Sequence, residues 1–155
     1  MFWFRVDNRL VHGQIIEAWL PYTDAGYLLV ANDALAAAPL QQQIILLAVP
    51  NRVRVCFVPL IRLADTLNAC DQGKNIFVLL ATCADAVALC AMGVAMAELN
   101  IGNLHYAPGK RRILPHVAVS EEEIADLRQL DRWNVRLDFR CTPSETGLRL
   151  DVALA

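Results

Sequence analysis

The sequence has no C-x-x-C pair, no excess of charge of either sign and no uncharged apolar run long enough to cross a bilayer. Its five cysteines, Cys56, Cys70, Cys83, Cys90 and Cys141, are odd in number and mostly lie inside apolar stretches. That argues against a disulfide framework or a zinc site and for reduced, buried thiols. Fourteen Lys and Arg against sixteen Asp and Glu leave a formal net charge of −2, too near neutral for a broad electrostatic surface toward nucleic acid or an anionic membrane. The opening Met-Phe-Trp-Phe-Arg-Val meets an acid at Asp7 and lacks the layout of a secretory signal. Only residues 76–96 approach a membrane span in length, and Asp85 lies near their centre. What is present is a 155-residue chain, 56% hydrophobic and 19% charged, the length and composition of one globular domain over residues 1–155.

Short apolar runs alternate with helical stretches, the pattern of βαβ units. Strands are expected at Phe2 to Val6, Gly26 to Ala31, Arg52 to Val58, Asn75 to Ala81 and Glu98 to Ile101, with a half-exposed last strand at Val135 to Arg140 that could lie at a sheet edge. The spacing predicts helices from about Gln14 to Leu20, closed by Pro21, and from Leu35 to Ala48, interrupted or started by Pro39. Two more are expected from Pro59, as a first-turn residue, to about Cys70, and from Ala84 to Met96. Asp71-Gln-Gly73 reads as a turn, Ile113 to Val119 as a short extended piece, and the tail beyond Pro143 is weakly determined. Ser120 and Glu123 have capping-box spacing and open a helix running to about Trp133. The fold class that follows is a three-layer α/β/α architecture with a mainly parallel central sheet of about six to seven strands.

Such sheets bind ligands beyond the carboxyl ends of their strands. The residues there are Asp7-Asn8-Arg9-Leu10-Val11-His12-Gly13-Gln14 after the first strand, Asn32-Asp33 after the second, Thr82 after the fourth and Gly102-Asn103 after the fifth. The first group is the densest. His12 precedes a helix, Gly13 lets a ligand approach the backbone, and Arg9 can offer a bidentate fork to an anion. Asp7 could fix the imidazole tautomer and leave one ring nitrogen as a nucleophile. The residues alone are equally those of a hydrogen-bonding hub, so phosphate chemistry and a structural histidine both stand at this point.

Arg5-Val-Asp7-Asn-Arg9-Leu-Val-His12-Gly-Gln14, followed by Trp19, resembles the signature of the IIB component of the mannose/fructose/sorbose class of the bacterial phosphoenolpyruvate-dependent sugar phosphotransferase system. The resemblance continues through Val30-Ala-Asn32-Asp33, Leu99-Asn-Ile-Gly102-Asn-Leu-His105-Tyr, Gly109-Lys-Arg-Arg-Ile113 and Asn134-Val-Arg-Leu-Asp-Phe-Arg140, and so covers most of the chain. Two departures are the Asn8 and Asn103 positions, where the family usually has Asp and Gly; Asn103 is one of the few residue types that tolerate a left-handed turn.

The resemblance implies a phosphohistidine carrier with protein-phosphohistidine–sugar phosphotransferase activity. His12 would accept a phosphoryl group from a IIA protein and hand it to a sugar in the membrane IIC/IID pair, with no metal and no cofactor. Arg9 and Asp7 would act beside His12, while Gly13, Gln14, Asn32, Asp33, Thr82 and Gly102 would bind phosphate or shape the loop, Asn32 and Asp33 reading equally as an N-cap for the following helix. It also implies a cytoplasmic protein held at the inner face of the membrane through IIC/IID, with homo-oligomerisation open. The alternatives are a regulatory or orphan phosphate-responsive module on the same fold and a plain anion-binding domain. Of the remaining candidates, His105 reads as a hydrogen-bonded structural histidine and His116 as a surface or turn residue. Trp19 reads as packing or partner docking, and Lys110-Arg111-Arg112 as a solvated loop or a steering patch.

Overall fold

The computed structural model describes residues 1–70 and 72–155. Six strands form one sheet: β1 (Phe2–Asp7), β2 (Ala25–Ala31), β3 (Arg54–Val58), β4 (Asn75–Leu80), β5 (Glu98–Asn103) and β8 (Arg136–Asp138). They lie in the order β3-β2-β4-β1-β5-β8, and every pairing is parallel. β4 carries the unbroken run Ile-Phe-Val-Leu-Leu because both its faces are covered. The stretch read as one extended piece is instead an antiparallel hairpin, β6 (Arg111–Leu114) and β7 (Val117–Val119), turning at Pro115-His116.

Helices cover both faces. On one side a π-helical turn, Ile15–Trp19, runs into α1 (Leu20–Thr23), followed after β2 by α2 (Asp33–Ala36) and α3 (Pro39–Ala48). Ile15, Trp19, Leu20 and Leu35 pack there with Leu28, Val30, Phe77 and Leu79 of the sheet. On the other side α4 (Leu63–Ala69), α5 (Cys83–Ala91), α6 (Glu121–Arg132) and the terminal α7 (Leu150–Leu154) bring Leu63, Leu67, Ala86, Leu89, Ile124 and Leu127 onto Phe4, Val6, Val78 and Leu99. The three-layer expectation is met, with β8 at the sheet edge as its alternation implied.

Several boundaries differ from the sequence reading. Pro21 does not close the first helix. Leu20 N–H bonds Ile15 O in the widened π turn, the regular ladder is already interrupted there, and Pro21 enters the first turn of α1. Pro59 caps a 3₁₀ turn, Leu60–Arg62, that precedes α4 rather than lying in a first α-helical turn. Helix α5 stops at Ala91, because Gly93 takes φ +88 and Val94 N–H closes back on Leu89 O. Of the Asp71-Gln-Gly73 turn, Asp71 lies outside the described residues; Gln72 and Gly73 are in a turn. Ser120 and Glu123 form the capping box their spacing predicts, and Thr82 with Asp85 forms a second one. Among the described residues no helix is long and apolar enough to cross a membrane, and no group of His, Cys, Asp and Glu is placed to hold a metal.

This topology has one switch point that matters. The chain leaves β1 for the helical layer carrying Ile15 and Trp19, whereas it leaves β5 for the layer carrying Ile124 and Leu127, although the two strands are neighbours. Their onward connections therefore leave for opposite faces of the sheet at this edge, the usual ligand position in such sheets.

Candidate active site

The loop after β1 lies at that edge of the sheet. Asn8 N–H donates to Asn103 O of β5 at 3.1 Å, the Asn8 side chain donates to Ala81 O after β4 at 3.0 Å, and Asn8 Oδ1 accepts from His105 N–H. Asn8 thus ties together three strand ends. Leu10, not Asn103, takes the left-handed conformation, φ 55, a strain on the order of 1–2 kcal/mol for a residue of this type. It is held by Leu10 N–H to Asp7 O at 2.9 Å and Arg9 N–H to Asp7 Oδ1 at 3.0 Å, which turn the chain back so that His12 faces the end of its own strand.

There His12 Nε2 lies 2.8 Å from Asp7 Oδ2. Asp7 is wholly buried. Burial alone would raise its pKa, but the hydrogen bond from His12 and the charge of Arg5 outweigh it and hold the carboxyl below its ordinary value. A carboxylate only accepts, so Nε2 carries the proton and donates; the lone pair of the neutral ring then resides on Nδ1. The side chain of His12 keeps 14% of its surface exposed, enough for a reacting partner to reach it.

Behind Asp7 stands Arg5, also fully buried in the middle of an apolar strand. Its Nη2 donates to Asp7 Oδ2 at 2.9 Å, and Nη1 donates to Asn100 Oδ1 at 2.5 Å and to Cys141 O at 3.3 Å. The guanidinium lies 4.9 Å from the centre of the Trp19 ring. Burial lowers the pKa of Arg5, with Asp7 opposing the shift.

Arg9 is exposed, and its guanidinium makes no hydrogen bond or ion pair among the described residues, leaving a charged fork free beside the loop. Above Gly13 there is open space, and the first helical hydrogen bond, Ile16 N–H to His12 O, begins behind it. Gln14 is turned away toward the Cys141 thiol, 3.3 Å from its Nε2. Asn32 caps α2 by accepting from Leu35 N–H, Asp33 Oδ1 accepts from Leu60 N–H, and the Thr82 hydroxyl accepts from Asp85 N–H. Those three side chains are engaged in holding helices and turns.

His105 is exposed, and among the described residues its backbone alone is bonded, to Asn8, contrary to the expectation of a hydrogen-bonded ring. His116 does sit in a turn, with its ring bonded to Phe139 O. Trp19 is buried and donates to Cys141 O at 2.9 Å, which makes it packing. Lys110 is occupied by Glu123 at 2.7 Å, and Arg112 by Pro115 O and the Tyr106 ring. Missed by sequence reasoning were the partners of Arg5, namely Asn100 and Cys141. The available signal was a charged residue inside Phe2-Trp-Phe-Arg-Val, which must be paired if its strand is buried.

Fold and site together define a parallel α/β protein with an oriented histidine at the switch-point edge of its sheet. Residues 1–154 match the model of the phosphotransferase system sorbose subfamily IIB component, and the chain belongs to that family. It is 32% identical over 146 residues to the N-acetylgalactosamine-specific phosphotransferase enzyme IIB component 2 of Escherichia coli strain K12, covering 94% of this chain and 93% of that one. It is 29% identical to the sorbose-specific EIIB component of Klebsiella pneumoniae, over 94% and 90% of the two chains. The crystal structure of the IIB domain of the sorbose permease from Klebsiella pneumoniae superposes with a TM-score of 0.89 at 26% identity, over 99% of this chain and 96% of that one.

Proposed function

We propose that His12 is the phosphorylated residue and that Nδ1 is its nucleophile. The observation carrying this is the Nε2–H bond to the buried Asp7 carboxylate, which leaves Nδ1 as the basic ring nitrogen. In the first transfer the Nδ1 lone pair attacks the phosphorus of a phosphohistidine on a IIA protein. The donor's N–P bond breaks, and its electron pair returns to the donor ring. In the second, a hydroxyl oxygen of a sugar held by the IIC/IID membrane pair attacks, its proton passes to water or to a base beside the sugar, the Nδ1–P bond breaks, and the ring recovers its lone pair. Asp7 stabilises the imidazole while it carries the group and orients it for both transfers. Arg9 supplies the free guanidinium that neutralises the phosphoryl oxygens, and open Gly13 lets the partner's surface come close. Asp7 faces Nε2, away from the transferred group, so its charge does not oppose the phosphoryl oxygens directly. The site of action is then the cytoplasmic face of the membrane, where IIC/IID would present the sugar. Relatives named for N-acetylgalactosamine, sorbose and fructose support a sugar as the final acceptor.

The test is incubation of the purified protein with phosphoenolpyruvate, the general phosphocarriers and a IIA protein, read by intact mass and peptide mapping. One acid-labile phosphoryl group on His12, absent from His12→Ala, is the expected result. Labelling of His12→Ala at the wild-type level overturns the assignment. A labelled protein that no IIC/IID pair discharges points to the regulatory reading instead.

A further inference from the structure

We propose that Arg5 is a positioning residue for His12, acting through Asp7, and that position 102 is glycine because the Arg5 guanidinium occupies the space of its side chain. The inference rests on the phosphoryl-transfer reading of His12 given above. A Cβ built on Gly102 would lie 1.8 Å from Arg5 Cζ and 2.1 Å from both terminal nitrogens. Overlap of that size cannot relax around a group pinned by Asp7, Asn100 and Cys141 O and packed on Trp19. Conformational freedom is not the reason for the glycine. Gly102 lies within β5, and the positive-φ glycines are Gly93 and Gly109. Nor does it offer its α-carbon face to an anion beyond the strand ends, because that face is filled by Arg5.

The consequence for His12 is mechanical and electrostatic. Asp7 Oδ2 takes both the Arg5 Nη2 bond at 2.9 Å and the His12 Nε2 bond at 2.8 Å, so the oxygen that selects the ring tautomer is itself located by Arg5. Displacing the guanidinium frees Asp7 to turn or to take up a proton. Either change removes the acceptor that keeps the proton on Nε2. Gly102 then influences His12 through two intervening side chains, and any side chain at 102 reaches the histidine only through Arg5.

A double-substitution cycle separates this from a direct phosphate contact or a packing defect. The variants are Gly102→Ala, Arg5→Met and the double substitution, each read by the rate of His12 labelling from a IIA protein and by the ¹⁵N shifts of the His12 ring against pH. Gly102→Ala is expected to slow labelling by about tenfold or more and to shift the ring toward a mixed tautomer. In the Arg5→Met background the same Gly102→Ala change is expected to cost nothing further, since the group it displaces is gone. Additive losses, or a Gly102→Ala protein with wild-type rate and tautomer, overturn the proposal. If Arg5→Met fails to fold, Arg5→Gln replaces it in the cycle: its amide ends at the level of Arg5 Nε, short of the Cζ and terminal nitrogens that the added Cβ would meet, and Gly102→Ala is again expected to cost less than in the wild type. If the wild-type protein takes no phosphoryl group, the transfer reading falls, while the ring shifts still decide whether position 102 reaches His12.

Discussion

The carboxyl end of β1 and those of β2 and β4 look alike in sequence, each an apolar strand followed by short polar residues, yet they are used differently. After β2 and β4, Asn32 and Thr82 turn their side chains onto the N–H groups of the next helix, at Leu35 and Asp85, in the ordinary manner of N-caps. After β1 the next helix has no side-chain cap at Gln14, and the polar residues bind one another across five positions, Asp7 to His12. A cap satisfies its polar groups locally and leaves nothing reactive. The β1 loop uses backbone strain at Leu10 and a buried carboxylate to hold one imidazole through its Nε2. Polar residues at strand ends therefore signal chemistry only where helix capping does not consume them.

The sharpest way to break that comparison is Asp7→Asn. Losing one partner of a buried pair leaves Arg5 uncompensated, and the expected cost is about 3 kcal/mol in urea unfolding, together with loss of most His12 labelling. A cost no larger than that of a lost cap would erase the distinction between the two kinds of strand end. The pH dependence has a definite sign. Asp7 has a folded-state pKa below its unfolded value of about 3.9, so its contribution is complete above about pH 4 and is lost as pH falls through the depressed folded value. Acid unfolding of the wild type is expected to show this loss and Asp7→Asn to lack it.

Arg9 sharpens the comparison from the opposite side, because the proposed reading gives its guanidinium a role in transfer and it holds no partner among the described residues. Arg9→Lys keeps the charge and removes the fork, and onward transfer to sugar is expected to fall about tenfold while the urea midpoint stays put. Unchanged sugar phosphorylation would remove Arg9 from the site.

Much of this was legible because its causes are local. The Ile-Phe-Val-Leu-Leu run of β4, the Ser120 to Glu123 box and the dense loop after β1 each carry their signal within a few residues. The Arg5 cluster was not, since its partners Asn100 and Cys141 lie 95 and 136 positions away and only the strand order makes them neighbours. Gly102 was noticed for the wrong surroundings: from sequence it stands at a strand end facing the ligand position, whereas the pairing of β1 with β5 puts Arg5 against it. Pro21 misled for a related reason, as a π turn is set by the packing of Ile15 and Trp19 and has no signature in the residues that make it.

The smallest expected effects belong to the caps themselves. Asn32→Ala and Thr82→Ala each remove one side-chain acceptor from a helix start, at a cost of about 1 kcal/mol in the urea midpoint. Both are expected to leave the rate of His12 labelling at the wild-type level, because neither side chain bonds to the β1 loop. Thr82 is the more demanding case. The preceding carbonyl, Ala81 O, accepts from the Asn8 side chain, so a cap that shifted the backbone there would reach the active loop through that bond. Labelling slowed by Thr82→Ala but not by Asn32→Ala would show that the end of β4 supports the site, and Asn8→Ala, which cuts the bond, would then reproduce the defect without touching the cap.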